Sequence, residues 1–200
     1  MRNPIYAIYG FVRFADEIVD TFHDHNKSEL LNRFKDDTYH AITYKISLNP
    51  ILHSFQFAAN TFKFERELID QFLKSMEMDL ALTSYDQKGI EAYILGSAEV
   101  VGLMCLRVFC KGDEQMYQHL KPSAMKLGSA FQKINFLRDL NADFNGMGRS
   151  YFPGVDLTHF TEETKKEIED DIAKDFHAGY EGIKQLPRSA RFGVYVAYLY

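Results

Sequence analysis

Two hundred residues, 46% hydrophobic and 26% charged, are enough for one domain with a sizeable core and show no low-complexity bias. A formal charge of −5 argues against a general nucleic-acid binder, which carries a basic excess, and no N-terminal segment reads as a signal peptide. The longest mostly apolar run, SAEVVGLMCLRVFC, is interrupted by Glu99 and Arg107 and is too short to span a bilayer, which leaves peripheral membrane contact open.

Taken in chain order, the pattern is helical throughout. Asn3 and Pro4 suit an N-cap and a first helical position, and Ile5, Ile8, Tyr9, Val12, Ala15, Val19 and Phe22 follow at three- and four-residue steps. After the polar patch HDHNKS, Ser28 opens a second helix to about Ile46, which Asn49-Pro50 ends. Further helices are predicted over 51–62 and 65–82, with SYDQKG as a turn, then 88–110 and 114–144 separated by CKGDEQ. NGMGRSYFPG reads as a loop in which Gly146 and Gly148 permit a turn. Thr161 to Thr164 brackets two glutamates as a capping pattern, and the charge run at 162–175 reads as a solvated helix face. A last helix starts near Arg188. No strand alternation, repeat or linker is visible, so residues 1–200 predict one all-α domain of about eight helices.

Two stretches carry the chemistry. In RFADEIVD, Asp16 and Asp20 share a helix face at i, i+4, where like charges cost stability unless a cation or a basic partner meets them. In QKINFLRDLNADFNGMGRSYFP, Asp139 and Asp143 repeat that spacing, with Asn135 one turn before Asp139 and Gln132 a turn before that. Each motif has its own arginine, Arg13 and Arg138. Facing each other across a bundle, the two motifs would make a mouth of hard oxygen ligands suited to Mg²⁺ and to phosphate oxygens, beside a cavity lined by Phe, Tyr and Val. The implied ligand has a diphosphate head and an apolar tail. A single DxxxD on a helix is a common surface accident; two, each beside an arginine and amid apolar residues, are not easily dismissed.

These residues resemble the squalene and phytoene synthase family, the head-to-head trans-prenyltransferases. Its first motif appears as YGFVRFADEIVD, its second as QKINFLRDLNADFNGMGRSYFP, and its Tyr-containing central helix as YILGSAEVVGLM. The resemblance implies an all-α isoprenoid synthase fold and condensation of two prenyl diphosphates through a cyclopropyl intermediate with loss of diphosphate. Geranylgeranyl diphosphate giving phytoene is the preferred reading, and farnesyl diphosphate giving dehydrosqualene or squalene the alternative. It further implies two or three Mg²⁺ ions, with Mn²⁺ as a substitute, on Asp16, Asp20, Asn135 and Asp139, with Asp143 supporting. Tyr9, Arg13, Gln132 and Arg138 are expected to contact substrate, and Tyr93 to lie near the reacting carbons or the diphosphate.

The family usually has a Gly where Glu99 stands, Glu-Asp where Ala142-Asp143 stands, an N-terminal helix before Met1, and several tens of residues after Tyr200. The expectation is therefore a member lacking both family termini, which leaves the activity of the fragment itself open. Non-catalytic assembly or scaffold relatives have eroded acidic motifs, whereas all four aspartates stand here. A di-iron bundle needs paired Glu-x-x-His motifs, which are absent. A terpene cyclase or head-to-tail enzyme would carry a different second motif. Arg149 is read either as closing over a diphosphate or as part of a solvated loop. His23 and His25 lack metal-ligand spacing and read as a helix end. Cys105 and Cys110, five positions apart on a helix, point to different faces and predict reduced core thiols in a cytoplasmic setting.

Overall fold

The computed structural model describes residues 2–81, 85–142, 151–153, 155 and 160–200, with only the backbone of 141 and 142. Its helices are α1 (Arg2–Asp20), α2 (Lys27–Tyr44), α3 (Pro50–Phe62), α4 (Arg66–Ala81), α5 (Gln87–Ile94), α6 (Val100–Cys110), α7 (Glu114–Ala142), α8 (Glu162–Ile183) and α9 (Arg188–Leu199). A π turn, Leu95–Glu99, joins α5 to α6 without a break, so eight continuous rods account for the described residues, and no strand occurs among them.

Local chemistry sets the helix ends. The side chains of Asn26, Asn49, Asp86 and Thr161 accept from free N–H groups of α2, α3, α5 and α8. Lys45, Lys63 and Lys111 end α2, α3 and α6 in the left-handed region. Two expected starts move. Asn26, not Ser28, caps α2, and α1 already includes Arg2, so Asn3 and Pro4 lie inside its first turn.

Helices α1 to α4 pack around a ring of phenylalanines. Phe11 is fully buried and lies 3.9 Å from Phe55 and 5.2 Å from Phe72, centroid to centroid. Each such ring contributes about 1.5–3 kcal/mol on leaving water. The α5–α6 rod runs through the middle, against α4 on one side and α7 on the other. Gly96 makes the first approach possible, since a Cβ there would sit 2.5 Å from the Gln71 carbonyl oxygen. Gly128 does the same for α7, where a Cβ would lie 2.9 Å from the carbonyl oxygen of Ala98.

The rod Gln87–Cys110, with mean hydropathy 1.6 over its most apolar window, is long and apolar enough to cross a membrane by length and composition, although the run from Ser97 alone is not. Half of that window is buried among the other helices, as expected for the core helix of a bundle.

Helix α8 bears out a solvated face over most of 162–175 and corrects it at two positions. Ile172 and Asp175 are buried, and Asp175 is only 4% exposed. Lys126 (2.7 Å), Lys133 (2.7 Å) and Ser129 (2.9 Å), all from α7, converge on its carboxylate, and Lys133 also meets Asp171 at 2.6 Å. A run of charge in sequence had hidden one buried carboxylate with its donors.

Candidate active site

A cavity of about 830 Å³ lies between the start of α1, the π turn with α6, and helices α7, α8 and α9. Small residues make up much of its lining, Ser97, Ala98, Gly102, Gly128 and Gly193 among them, and a Cβ on Gly193 would meet nothing within 4 Å. The expected lining of Phe, Tyr and Val is present in part, as Phe109, Phe131, Tyr6, Val101 and Val194.

Helix periodicity links this cavity to both acidic motifs. On α1, Arg2 and Tyr6 line it, and Tyr9, Arg13, Asp16 and Asp20 continue the stripe at steps of three and four. On α7, Leu120, Ala124, Gly128 and Phe131 line it, and Asn135 and Asp139 continue at steps of four, with Gln132 on the same face. At 1.5 Å per residue, Asp16 lies about 15 Å along α1 from Tyr6, and Asp139 about 12 Å along α7 from Phe131. Each motif thus shares the helix face whose earlier turns wall the cavity. The two helices flank α6, which contacts both.

The two motifs differ in electrostatics. Asp16 makes no hydrogen bond or ion pair among the described residues; burial and then the neighbouring Asp20 push its carboxyl up to about 6, against the pull of Arg13. Arg13 forms its ion pair with Glu17, which also accepts from Thr21 at 2.6 Å. Asp139 is gripped by Arg138 through two bonds, Nε to Oδ1 at 2.8 Å and Nη2 to Oδ2 at 2.6 Å, which hold its carboxyl below the usual range. Asn135 and Tyr9 are exposed, and Gln132 is half-buried. Asp143 and Arg149 lie outside the described residues, as do Gly146 and Gly148.

Among the described residues no group of three or more His, Cys, Asp or Glu is gathered to hold a metal ion. Asp16 and Asp20 are neighbours as a pair, and Asp139 is not grouped with them. The donor set still suits a hard cation: Mg²⁺ takes one or two protein carboxylates and fills its other positions with water and substrate phosphate. An uncompensated Asp16 beside Asp20 is the electrostatic arrangement such an ion relieves.

Tyr93 is buried in a second aromatic cluster, 6.0 Å from Phe136 and 5.8 Å from Tyr151, and its hydroxyl donates to Asp79 Oδ2 at 2.9 Å. Burial first, then Asp79, raises the phenol well above its ordinary value, so it stays a neutral donor. Sequence reasoning singled out neither Asp79 nor Glu17. Nothing in the EMDLAL stretch marks Asp79, whereas Arg13 to Glu17 at i, i+4 was a readable ion-pair signal.

An all-helical bundle with two acidic helix faces beside an apolar cavity defines an isoprenoid synthase fold. The squalene synthase HpnC from Alicyclobacillus acidocaldarius superposes with a TM-score of 0.83 at 19% identity, covering 98% of this chain and 78% of that one. The whole sequence, residues 1–200, matches the squalene/phytoene synthase family, and the chain belongs to that family. It is 30% identical over 163 residues to a presqualene diphosphate synthase of Rhodopseudomonas palustris, covering 79% of this chain and 55% of the relative. It is 28% identical over 177 residues to a 4,4'-diapophytoene synthase of Staphylococcus haemolyticus, covering 87% and 60%. The chain therefore spans a little over half the length of these relatives.

Proposed function

We propose that this chain forms the catalytic core of a Mg²⁺-dependent prenyltransferase that joins two prenyl diphosphates head to head and releases diphosphate. The observation that carries this reading is the continuity of both acidic stripes with the walls of one apolar cavity. Asp16, Asp20, Asn135 and Asp139 would hold the metal, with Asp143 in support. When bound, Mg²⁺ supplies positive charge to the departing diphosphate. Arg13 and Arg138 offer planar forks to phosphate oxygens, with Arg149 as a further candidate, and Tyr9 and Gln132 border the head group. The cavity takes the prenyl tails and excludes water from a developing carbocation, which nearby aromatic faces can stabilise. Tyr93, its one proton held by Asp79, keeps its hydroxyl lone pairs and its ring available near the second motif.

Geranylgeranyl diphosphate giving phytoene remains the reading from overall sequence likeness. The relatives named for presqualene diphosphate and for 4,4'-diapophytoene support the farnesyl alternative, and a relative named for phytoene synthase supports the first reading. Incubating an active form of the protein with each diphosphate and Mg²⁺, then identifying the product, separates the two; no product from either would overturn the enzymatic reading. Cys105 and Cys110 are free, and burial raises the thiols to about 12 and about 11, which accords with inert residues in a reducing cytoplasmic setting.

A further inference from the structure

The π turn Leu95–Glu99 divides consecutive residues between two cavities. Ser97 and Ala98 line the cavity of the proposed reaction, whereas Glu99 lines a separate one of about 570 Å³, and no residue lines both. π turns of this kind recur at functional sites. Helix α7 stands between the two spaces. Ala124, Gly128 and Phe131 line the larger cavity, and Lys126, Ser129, Lys133 and Phe136, at steps of three and four on the other side of the helix, line the smaller. Gly128 lets the turn pack this closely, since a Cβ there would lie 3.0 Å from Glu99 Cα.

One part of the smaller cavity is apolar. Ile90 and Ile94 of α5, Phe136 and Tyr151 are buried along it, and the Phe136 and Tyr151 rings stack at 4.3 Å. The rest is charged, and carboxylates outnumber lysines. Glu91, Glu167 and Asp171 are exposed, so water meets their charge. Both lysines are already bonded, Lys126 to Asp175 and Lys133 to Asp171 and Asp175. Glu99 is half-buried and makes no hydrogen bond or ion pair among the described residues. Burial raises its carboxyl above the ordinary value, against the pull of Lys126 and Lys133. An anion in this cavity would compete with Asp171 and Asp175 for the lysines. A metal ion would lack donors, because no group of three or more His, Cys, Asp or Glu is gathered among the described residues.

We propose that the smaller cavity binds a small organic ammonium ion, its apolar body against Ile90, Ile94 and Phe136 and its N–H groups donating to Glu99. Such a cation supplies the partner that the fold withholds from Glu99, and the apolar wall selects a body over a bare ion. None of these residues has a part in the proposed prenyl transfer, so the two readings stand or fall separately.

The test is calorimetric titration of the full chain with phenethylammonium at neutral pH, beside the uncharged phenethyl alcohol and the anionic phenylpropionate. Saturable one-to-one binding of the ammonium is expected, at least about tenfold tighter than the alcohol, with no binding of the anion. Glu99→Gln keeps the shape and loses the charge; it should weaken the ammonium at least about tenfold and leave the alcohol unchanged. Glu163→Gln, at an exposed position of α8 outside the cavity, is the control and should change nothing. The unfolding temperature of Glu99→Gln should not fall, because its carboxylate has no bonded partner to lose. Failure of the unaltered protein to bind overturns the proposal, as does equal affinity for ammonium and alcohol or an equal loss from Glu163→Gln. So does displacement of the ammonium by inorganic diphosphate with Mg²⁺, which would place it at the acidic motifs. A marked drop in the unfolding temperature of Glu99→Gln would make Glu99 a partner of the lysines and overturn it too.

Discussion

Asp175 and Asp16 are both carboxylates drawn partly or wholly out of water, and the protein treats them in opposite ways. Burial raises the Asp175 carboxyl, but donors from Lys126, Lys133 and Ser129 outweigh it and hold the group below the usual carboxylate range. Asp16 receives no such donor among the described residues, and burial with Asp20 leaves it pushed up to about 6. A carboxylate that serves the fold is compensated by the fold. One left uncompensated, on the face that continues a cavity wall, is the group to which the proposed function assigns an incoming cation.

The largest expected effect tests that second half. Asp16→Ala or Asp139→Ala, in a form of the protein that makes product, should lower turnover by about 10²–10³-fold at saturating Mg²⁺. Near-normal rates for either variant would make the carboxylates structural and erase the contrast with Asp175.

Asp175→Ala should act on the fold instead. It leaves Lys126 unpaired and Lys133 with Asp171 alone, at a cost of about 2–3 kcal/mol, read by urea unfolding. Diphosphate affinity with Mg²⁺ should not move. Because Asp175 is depressed in the folded state, its contribution is full above the ordinary carboxylate range. It is lost as pH falls through the folded value, so acid should narrow the gap between variant and parent.

Arg138→Lys keeps the charge and loses the planar fork. Inorganic diphosphate affinity with Mg²⁺ should fall about tenfold, and the unfolding temperature should barely change. Unchanged affinity with a marked drop in that temperature would assign Arg138 to the fold through Asp139.

The smallest effect has the opposite sign. The folded value of Asp16 lies above the ordinary 3.8, so its stabilising protonated form is full below pH 3.8 and is lost as pH rises toward about 6. Asp16→Asn should therefore gain about 1–2 kcal/mol over the parent at pH 7 without Mg²⁺, and nothing below pH 4, read as the difference in unfolding midpoints with pH. Equal stability of the two across that range would mean that Asp16 is compensated after all.

What local physics controls was legible before any folding. Helix periodicity located the elements, with boundaries within a few residues. The i, i+4 spacing placed Asp16 with Asp20 on one face, and Arg13 within reach of an acidic neighbour. Thr161 was legible as a cap, because caps and same-face pairs depend only on residues three or four apart. Tertiary structure decided the rest. It carried α8 and α9 across the chain to close a cavity with α1, α6 and α7, and it set that cavity largely with small side chains, which no period in the sequence announces. It joined Tyr93 to Asp79 across a turn, and it buried Asp175 beneath lysines 42 and 49 positions earlier in a run that reads as solvated. Charge in a sequence has a sign and a spacing but no partners from afar. Those are supplied only when another helix packs against it, and the donors that α7 brings to Asp175 are what separate it from Asp16.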